Sequence, residues 1–253
     1  MNEEKNNASY VEILRAERRK LLDAFRSTYF TQLDFSICHK QIIPTTSYSP
    51  WEDDKEFRAI YELAKTHTLI DIYRCYELWA IAKQLSFVEG DILEVGVWRG
   101  GSASLIGAPN AKSKSTLYLA DTFKGVVKAG NEDTLYKGGE HSDTNEDIVH
   151  ALLKSANISN YKILKGIFPD DFTGEINFGK LKLCHIDVDV HNSAKDIFEF
   201  VWTNIVPGGV VVFDDYAAWG CEGVTKYVNK LKDNLSDARF IYNINGHGIL
   251  IKI

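Results

Sequence analysis

The chain has 253 residues, of which 45% are hydrophobic and 25% charged, so it can bury the core of one large domain. Its net charge of −6 argues against a general nucleic-acid-binding surface, which would require clustered Lys and Arg. No apolar run approaches the length of a membrane span, and the scattered cysteines form no Cys-x-x-Cys pair, which argues against a membrane protein and against a zinc site. We therefore expect a cytoplasmic protein without nucleic-acid or membrane partners.

The first third of the chain has helical periodicity and no clear strand. Apolar residues recur near helical spacing from Tyr10 to about Phe30, which predicts an amphipathic helix. A loop is predicted over 31–51, where Pro, Thr and Ser are frequent, and two further helices over 52–64 and 69–85. We expect residues 1–89 to form a helical N-terminal extension, which would cover the remaining domain as a lid or make a subunit contact in a homo-oligomer.

The remaining chain, residues 90–253, alternates apolar strand patterns with helical patterns. Strands are predicted at 91–95, 117–121, 161–166, 181–187 and 209–215, and helices at 102–108, 145–156, 193–204 and 222–234. Such alternation indicates a mostly parallel sheet with helices on both faces. Two last strands, 239–245 and 248–253, flank an Asn-Gly-His-Gly turn and predict an antiparallel hairpin at the sheet edge. We therefore predict a Rossmann-like α/β domain.

The stretch Asp91–Ser102, DILEVGVWRGGS, predicts a strand that runs into a ligand-binding turn. Gly96, Gly100 and Gly101 allow the backbone to turn sharply, and the helix that follows presents free N–H groups to a ligand. Glu94 is an acid in a strand that is otherwise apolar. Because a buried carboxylate is costly without a donor, we expect Glu94 to face the ligand. The alternative is an ordinary strand-to-helix turn in which Glu94 pairs with a basic side chain.

Acidic residues stand at the ends of four predicted strands, which meet at one edge of a parallel sheet. Asp121 could accept hydrogen bonds from both ribose hydroxyls of a nucleoside cofactor, or it could cap a helix or turn. Asp187, Asp189, Asp214 and Asp215 would repel one another in a single crevice unless a cation neutralised them. A set of oxygen ligands favours a hard ion such as Mg²⁺. The alternative is a group of turn and N-cap acids.

A candidate base and a candidate flap lie close to these acids in the sequence. His191 follows Asp187 by four residues and could act as a general base, or it could be a surface histidine. The polar insert over 122–145 has no convincing periodicity, and long loops of this kind are often functional. Because the insert follows the end of a strand, we predict an active-site flap, in which His141 could touch a substrate.

Five motifs together resemble the macrocin O-methyltransferase family of class I methyltransferases, which methylate sugar hydroxyls on natural products. They are EVGVWRGGS at 94–102, ADTFKG at 120–125, KGIFPDDF at 165–172, IDVDVHNS at 186–193 and PGGVVVFDDY at 207–216. Their order and spacing are similar to those of the family and span about half of the chain. The resemblance implies a Rossmann-like sheet, S-adenosylmethionine as cofactor and Mg²⁺ as metal.

The resemblance also implies roles for the matching residues. The methionine part of S-adenosylmethionine would bind at Glu94, Gly96, Trp98, Arg99, Gly100 and Ser102, and its ribose at Asp121. The adenine would be bordered by Gly166, Ile167 and Phe168. The Mg²⁺ ligands would be Asp187, Asp214 and Asp215. The base that deprotonates the acceptor would be Asp187 or a neighbour, which leaves Asp187, Asp189 and His191 open.

The reaction implied is methyl transfer from the sulfonium of the cofactor to a hydroxyl of a small-molecule acceptor, a sugar or a glycosylated metabolite. One alternative is a nicotinamide-dependent oxidoreductase on a related sheet. The bulky Trp98 and charged Arg99 in the turn argue against it, because a dinucleotide pyrophosphate needs close backbone approach. A second alternative is a non-catalytic protein that binds nucleoside ligands. The complete set of acids favours an enzyme.

Overall fold

A computed structural model describes residues 2–27, 33–34, 36–44, 46–174 and 179–253. The chain divides into two compact units, Met1–Tyr48 and Ser49–Ile253. The first unit contains one long helix, α1 (Asn2–Arg26), which begins before the predicted Tyr10. The predicted end of this helix, Phe30, lies outside the described residues.

The second unit is built on a seven-stranded sheet with the strand order β3-β2-β1-β4-β5-β7-β6. Strands β1 to β5 are parallel, whereas β7 is antiparallel to both of its neighbours, β5 and β6. The strands are β1 (Asp91–Val95), β2 (Leu117–Asp121), β3 (Tyr161–Lys165), β4 (Leu181–Ile186), β5 (Ile205–Phe213), β6 (Ala238–Tyr242) and β7 (Gly248–Lys252). The predicted fold class, including the terminal hairpin, is confirmed. The hairpin folds back so that its second strand pairs with the parallel sheet.

Helices cover both faces of this sheet. They are α2 (Pro50–Asp53), α3 (Lys55–Ala64), α4 (Ile72–Gln84), α5 (Gly101–Gly107), α6 (Glu146–Ser155), α7 (His191–Val201) and α8 (Glu222–Asn234). Helices α2 to α4 lie within residues 1–89, the predicted N-terminal extension, for which two helices were predicted after the loop, and they belong to the same compact unit as the sheet. Within the described ranges, no helix is both long and apolar enough to cross a membrane.

Alternating side chains of the strands build two cores, one on each face of the sheet. Ile92 of β1 enters a core shared with α3 to α6, while the next residue, Leu93, enters a core shared with α7 and α8. This alternation follows from the two-residue repeat of a strand. Because both faces are buried, the ends of the strands are the edge of the sheet that remains available to a ligand.

The connections that follow β1 and β4 begin side by side, in close backbone contact. The amide of Asp187 donates a hydrogen bond to the carbonyl of Val95 at 2.9 Å, and Gly96 follows with a φ of +90°. A Cβ at Gly96 would lie 1.6 Å from the carbonyl oxygen of Asp187. Glycine is therefore required here for both its conformation and its size.

We predict that Gly96→Ala lowers the free energy of unfolding by more than about 3 kcal/mol, because the backbone of the β4 end must move. Gly139→Ala is the matched control, since Gly139 has the same φ of +90° but no atom within 4 Å of the added Cβ. The control should cost only about 1–2 kcal/mol of backbone strain. Urea unfolding of both variants measures the difference, and equal losses would contradict the close approach.

Candidate active site

A cavity of about 270 Å³ opens at the carboxyl ends of the parallel strands, beside the point where the strand order reverses between β1 and β4. Open α/β sheets bind their ligands at such a crevice. Most of the predicted site residues line it: Gly96, Trp98, Ser102, Asp121, Gly166, Phe168, Asp187, Asp214 and Asp215. The predicted residues that do not line it are Glu94, Arg99, Gly100, Ile167 and His191.

Three carboxylates converge in this cavity, from Asp187 after β4 and from Asp214 and Asp215 after β5. One oxygen from each lies within 4.8 Å of the others. Burial raises the pKa of Asp187 well above its usual value, and Asp214 and Asp215 raise it further. Burial, Asp189 and Asp214 raise the pKa of Asp215 in the same way. The cluster holds like charges that a hard cation would neutralise, so the donor set fits Mg²⁺.

Asp214 differs from the other acids because cationic side chains surround it. Its Oδ2 lies 2.6 Å from Nη1 of Arg74, and its Oδ1 lies 2.9 Å from Nε2 of His247. Burial alone would raise the pKa of Asp214, but Arg74, His185 and His247 hold it well below its usual value. Arg74 is itself oriented by Asp71, the N-cap of α4, whose Oδ2 lies 2.8 Å from its Nε. Asp214 is therefore held ionised and fixed in position.

His247 connects the terminal hairpin to α4. Its Nδ1 lies 2.5 Å from Oε2 of Glu77, whose other oxygen accepts a hydrogen bond from Asn243 at 2.6 Å. Sequence reasoning missed Arg74, Glu77 and His247 as residues that support the site. The spacing of residues in a sequence does not predict contacts between α4 and residues 140 or more positions away. The one sequence feature that could have indicated such a contact is His247, a histidine within the Asn-Gly-His-Gly turn.

Glu94 is buried in the sheet and does not line the cavity, in contrast to its predicted position facing a ligand. Its Oε1 lies 2.8 Å from Nδ1 of His185 on β4, while Oε2 has no hydrogen-bond partner among the described residues. Although burial opposes protonation, Asp214 and Glu94 raise the pKa of His185 to about 10. Glu94 thus pairs with a basic side chain, which is the alternative that the sequence left open.

Asp121 holds the turn that follows β1. Its Oδ2 accepts hydrogen bonds from the amides of Val97 and Trp98 at 2.8 and 2.9 Å, and its Oδ1 accepts one from the amide of Phe123 at 2.6 Å. A carboxylate has about four acceptor sites, so Asp121 can still accept hydrogen bonds from ligand hydroxyls. Asp121 lines the cavity and shapes the turn at the same time.

Arg99 does not line the cavity and instead contacts the insert. Its Nη2 lies 2.5 Å from Oδ2 of Asp143, and the same carboxylate accepts a hydrogen bond from Nε1 of Trp98 at 2.9 Å. The guanidinium also stacks 4.6 Å from the centroid of the Trp98 ring. Asp143 therefore ties the end of the insert to the turn after β1.

Gly100 and Ile167 are next to the cavity in sequence but do not line it. Gly100 adopts φ +87° as the N-cap of α5, and the amide of Ile167 donates to Oδ2 of Asp171 at 2.7 Å. Both therefore support the local backbone, while Gly166 and Phe168 on either side of Ile167 reach the cavity wall.

His191 is the first residue of α7 and lies outside the cavity lining, although the sequence placed it at the mouth as a candidate base. Its amide donates to Oδ1 of Asp133 at 2.8 Å, and its ring lies 5.7 Å from that of Tyr227. Asp133, from the insert, thereby caps a helix whose own N-cap residue, Val190, has no side-chain acceptor. Of the three candidate bases, Asp187 and Asp189 line the cavity and His191 does not.

The insert over 122–145 contains no helix or strand and supplies one wall of the cavity through Tyr136 and His141. Tyr136 opposes the effect of burial on the pKa of Asp189, and Nε2 of His141 lies 4.0 Å from Oδ2 of Asp189. Burial raises the pKa of Asp189. The insert therefore surrounds Asp189 with polar side chains at the edge of the cavity.

We predict that His247→Ala lowers the free energy of unfolding by about 3 kcal/mol or more, because it leaves Asp214 and Glu77 each short of a buried partner. His150→Ala is the control, since His150 is exposed and its ring contacts Tyr161 at the surface. Chemical unfolding monitored by circular dichroism measures both variants. A His247 variant as stable as the His150 variant would show that the network does not hold Asp214.

A family model for macrocin O-methyltransferase (TylF) matches residues 15–251. The chain is 27% identical over 198 residues to the 8-demethyl-8-(2,3-dimethoxy-alpha-L-rhamnosyl)-tetracenomycin-C 4'-O-methyltransferase of Streptomyces olivaceus, a match that covers 72% of this chain and 74% of that protein. Among solved structures, the O-methyltransferase NovP superposes with a TM-score of 0.64 at 22% identity, over 74% of this chain and 82% of NovP. An O-methyltransferase from Bacillus cereus in complex with SAH superposes with a TM-score of 0.53 at 15% identity, over 79% and 91% of the two chains.

These two structures share the fold of the chain, and the family model covers nearly all of its length. The match decides between the enzyme classes that the sequence left open, because it favours a methyltransferase over a nicotinamide-dependent oxidoreductase. The chain belongs to the macrocin O-methyltransferase family and is an O-methyltransferase.

Proposed function

We propose that this enzyme transfers the methyl group of S-adenosylmethionine to a hydroxyl of a sugar or of a glycosylated natural product, with Mg²⁺ bound by Asp187, Asp214 and Asp215. The observation that carries the proposal is that these three acids share one cavity with Asp121 at the reversal of the strand order. The relative from Streptomyces olivaceus, named for a rhamnosyl substrate, and the SAH complex of the Bacillus cereus structure support the choice of acceptor and cofactor.

The cofactor would bind along the wall that runs from Gly96 and Trp98 to Asp121, with Gly166 and Phe168 beside its adenine. Asp121 would accept hydrogen bonds from the ribose while it keeps the amides of the turn in place. When bound, S-adenosylmethionine supplies an electrophilic methyl group and Mg²⁺ supplies a Lewis acid that makes a hydroxyl more acidic. The chain itself orients the reactants and excludes water.

Asp189 is the residue we propose as general base. It lines the cavity next to the three acids without belonging to their cluster, together with Tyr136 and His141 of the insert. Asp187 is committed to the acid cluster, and His191 lies outside the cavity lining. The proton of the acceptor hydroxyl would pass to a carboxylate oxygen of Asp189 as the oxygen becomes nucleophilic.

The acceptor would enter beside the insert, where Tyr136, His141 and Trp219 line the cavity. Aromatic side chains offer the apolar faces on which sugar rings pack, and polar groups nearby accept the hydroxyl hydrogen bonds. A cytoplasmic location and a homo-oligomer formed through the N-terminal helices stay predictions of the sequence.

We predict that S-adenosylhomocysteine binds the purified protein at one site per chain, and that Asp121→Ala weakens this binding at least tenfold. The variant loses both the ribose acceptor and the contacts that hold the amides of Val97 and Trp98. Isothermal titration calorimetry measures the affinity. Unchanged affinity in the variant would remove Asp121 from the cofactor site.

We predict that Asp187→Asn lowers Mg²⁺-dependent methyl transfer at least about 100-fold, the scale on which one electrostatic contribution to catalysis acts. Asp187 is the preferred position because, among the described residues, no hydrogen bond or ion pair engages its carboxylate, whereas Asp214 also fixes Arg74 and His247. Asp147→Asn, at an exposed position on α6, is the control. A product-mass assay with hydroxylated sugars, with and without chelator, reads the outcome, and full activity of Asp187→Asn would refute the metal role.

A further inference from the structure

A thiol lies directly beside the acid cluster. The Sγ of Cys221 is 3.7 Å from Oδ1 of Asp215 and 3.8 Å from Oδ1 of Asp189, and the side chain of Cys221 is buried. One ligand atom from each of these residues lies within 4.8 Å of the other two. This donor set contains sulfur as well as oxygen, in contrast to the oxygen-only set of Asp187, Asp214 and Asp215.

The spacing of these atoms matches a tetrahedral metal site. Bonds of about 2.3 Å from Zn²⁺ to sulfur and about 2.1 Å to oxygen, at the tetrahedral angle, place the two ligand atoms about 3.6 Å apart. Both distances from the sulfur of Cys221 agree with this value to within about 0.2 Å. A thiol carries a single proton and is a weak donor, so a cation bound by all three groups accounts for both approaches more fully than one S–H hydrogen bond does.

We propose that Cys221, Asp189 and Asp215 form a binding site for a thiophilic divalent cation such as Zn²⁺ or Cd²⁺. Sulfur ligands select soft and borderline ions, whereas hard ions such as Mg²⁺ prefer carboxylates and water. His141 of the insert lies at the edge of this group, with its Nε2 4.0 Å from Oδ2 of Asp189. The sequence argued against a zinc site on motif spacing alone, and the fold brings these ligands together from the connections that follow β4 and β5.

The two cation sites share Asp215 and therefore compete for it. A thiophilic ion on Cys221 would also occupy Asp189, the proposed base. It would thus inhibit methyl transfer by withdrawing one ligand of the Mg²⁺ site together with the acceptor of the proton. This inhibition rests on the proposed function, whereas binding of the ion rests only on the geometry.

Cadmium titration tests the site without any assay of activity, because cadmium thiolates absorb in the ultraviolet through ligand-to-metal charge transfer. The protein carrying Cys38→Ser, which removes an exposed thiol, should develop this absorption to saturation at one Cd²⁺ per chain. Adding Cys221→Ser should abolish it. Adding Cys75→Ser, at a buried thiol that donates to the carbonyl of Ile70, should leave it unchanged. Equal absorption with and without Cys221, or none in the Cys38→Ser protein, would overturn the proposal.

Two further measurements keep the result decisive. If circular dichroism shows that Cys221→Ser does not fold, a second variant tests the site. Asp189→Asn in the Cys38→Ser protein keeps the thiol and should weaken Cd²⁺ binding at least tenfold, and unchanged affinity would overturn the site.

Zn²⁺ added to the active enzyme at fixed Mg²⁺ should inhibit methyl transfer. With the activity of each protein expressed as a fraction of its activity without Zn²⁺, the half-inhibitory Zn²⁺ concentration should be at least tenfold higher for Cys221→Ser than for the unchanged enzyme. Cadmium binding without zinc inhibition would leave the cation site standing and overturn the proposed use of Asp189 and Asp215 in methyl transfer.

Discussion

The burial of the Asp214 carboxylate is the constraint on which the rest of the site depends. An unpaired charge at this depth would cost several kcal/mol, and Arg74 and His247 offset that cost by contacting both of its oxygens. These two residues come from α4 and from the terminal hairpin. The need to pair one carboxylate therefore fixes two distant elements against the ends of the parallel strands.

The acids around the cavity differ in how many hydrogen bonds and ion pairs each carboxylate makes within the protein. Asp121 accepts three backbone hydrogen bonds, Asp215 accepts two from the amides of Val188 and Asp189, and Asp214 is held by cations. Asp121 and Asp215 keep the turns in place because their oxygens satisfy amides that would otherwise be unpaired. Asp187 and Asp189 also line the cavity and make fewer contacts of this kind, which suits Asp187 to join Asp214 and Asp215 in binding a cation and suits Asp189 to accept a proton.

The sequence predicted the sheet, its helices and a set of site residues of which most line the cavity, because these features follow from short-range patterns. Strand and helix periods are local, and the ends of parallel strands meet wherever the chain places acids such as Asp187 and Asp214. Glu94 was placed wrongly because periodicity shows that a strand is buried but not that His185 on β4 supplies a partner. The sequence placed His191 at the cavity mouth, but His191 begins α7 and lies outside the cavity lining. This position could not be predicted because the start of α7 is capped by Asp133, which lies in an insert without periodicity. Arg74 was missed because its contact with Asp214 spans 140 residues, and such a pairing is set only by the packed fold.

The position of His247 has a consequence for biosynthesis. The ribosome makes Asp214 thirty-three residues before it makes His247. Until the hairpin emerges, Asp214 lacks one of its cationic neighbours, and β5 has an open edge where β7 will later pair. Completion of the cavity and closure of that edge therefore coincide in one late event of translation, so a shortened polypeptide would lose catalytic competence and expose a strand prone to aggregation at the same time.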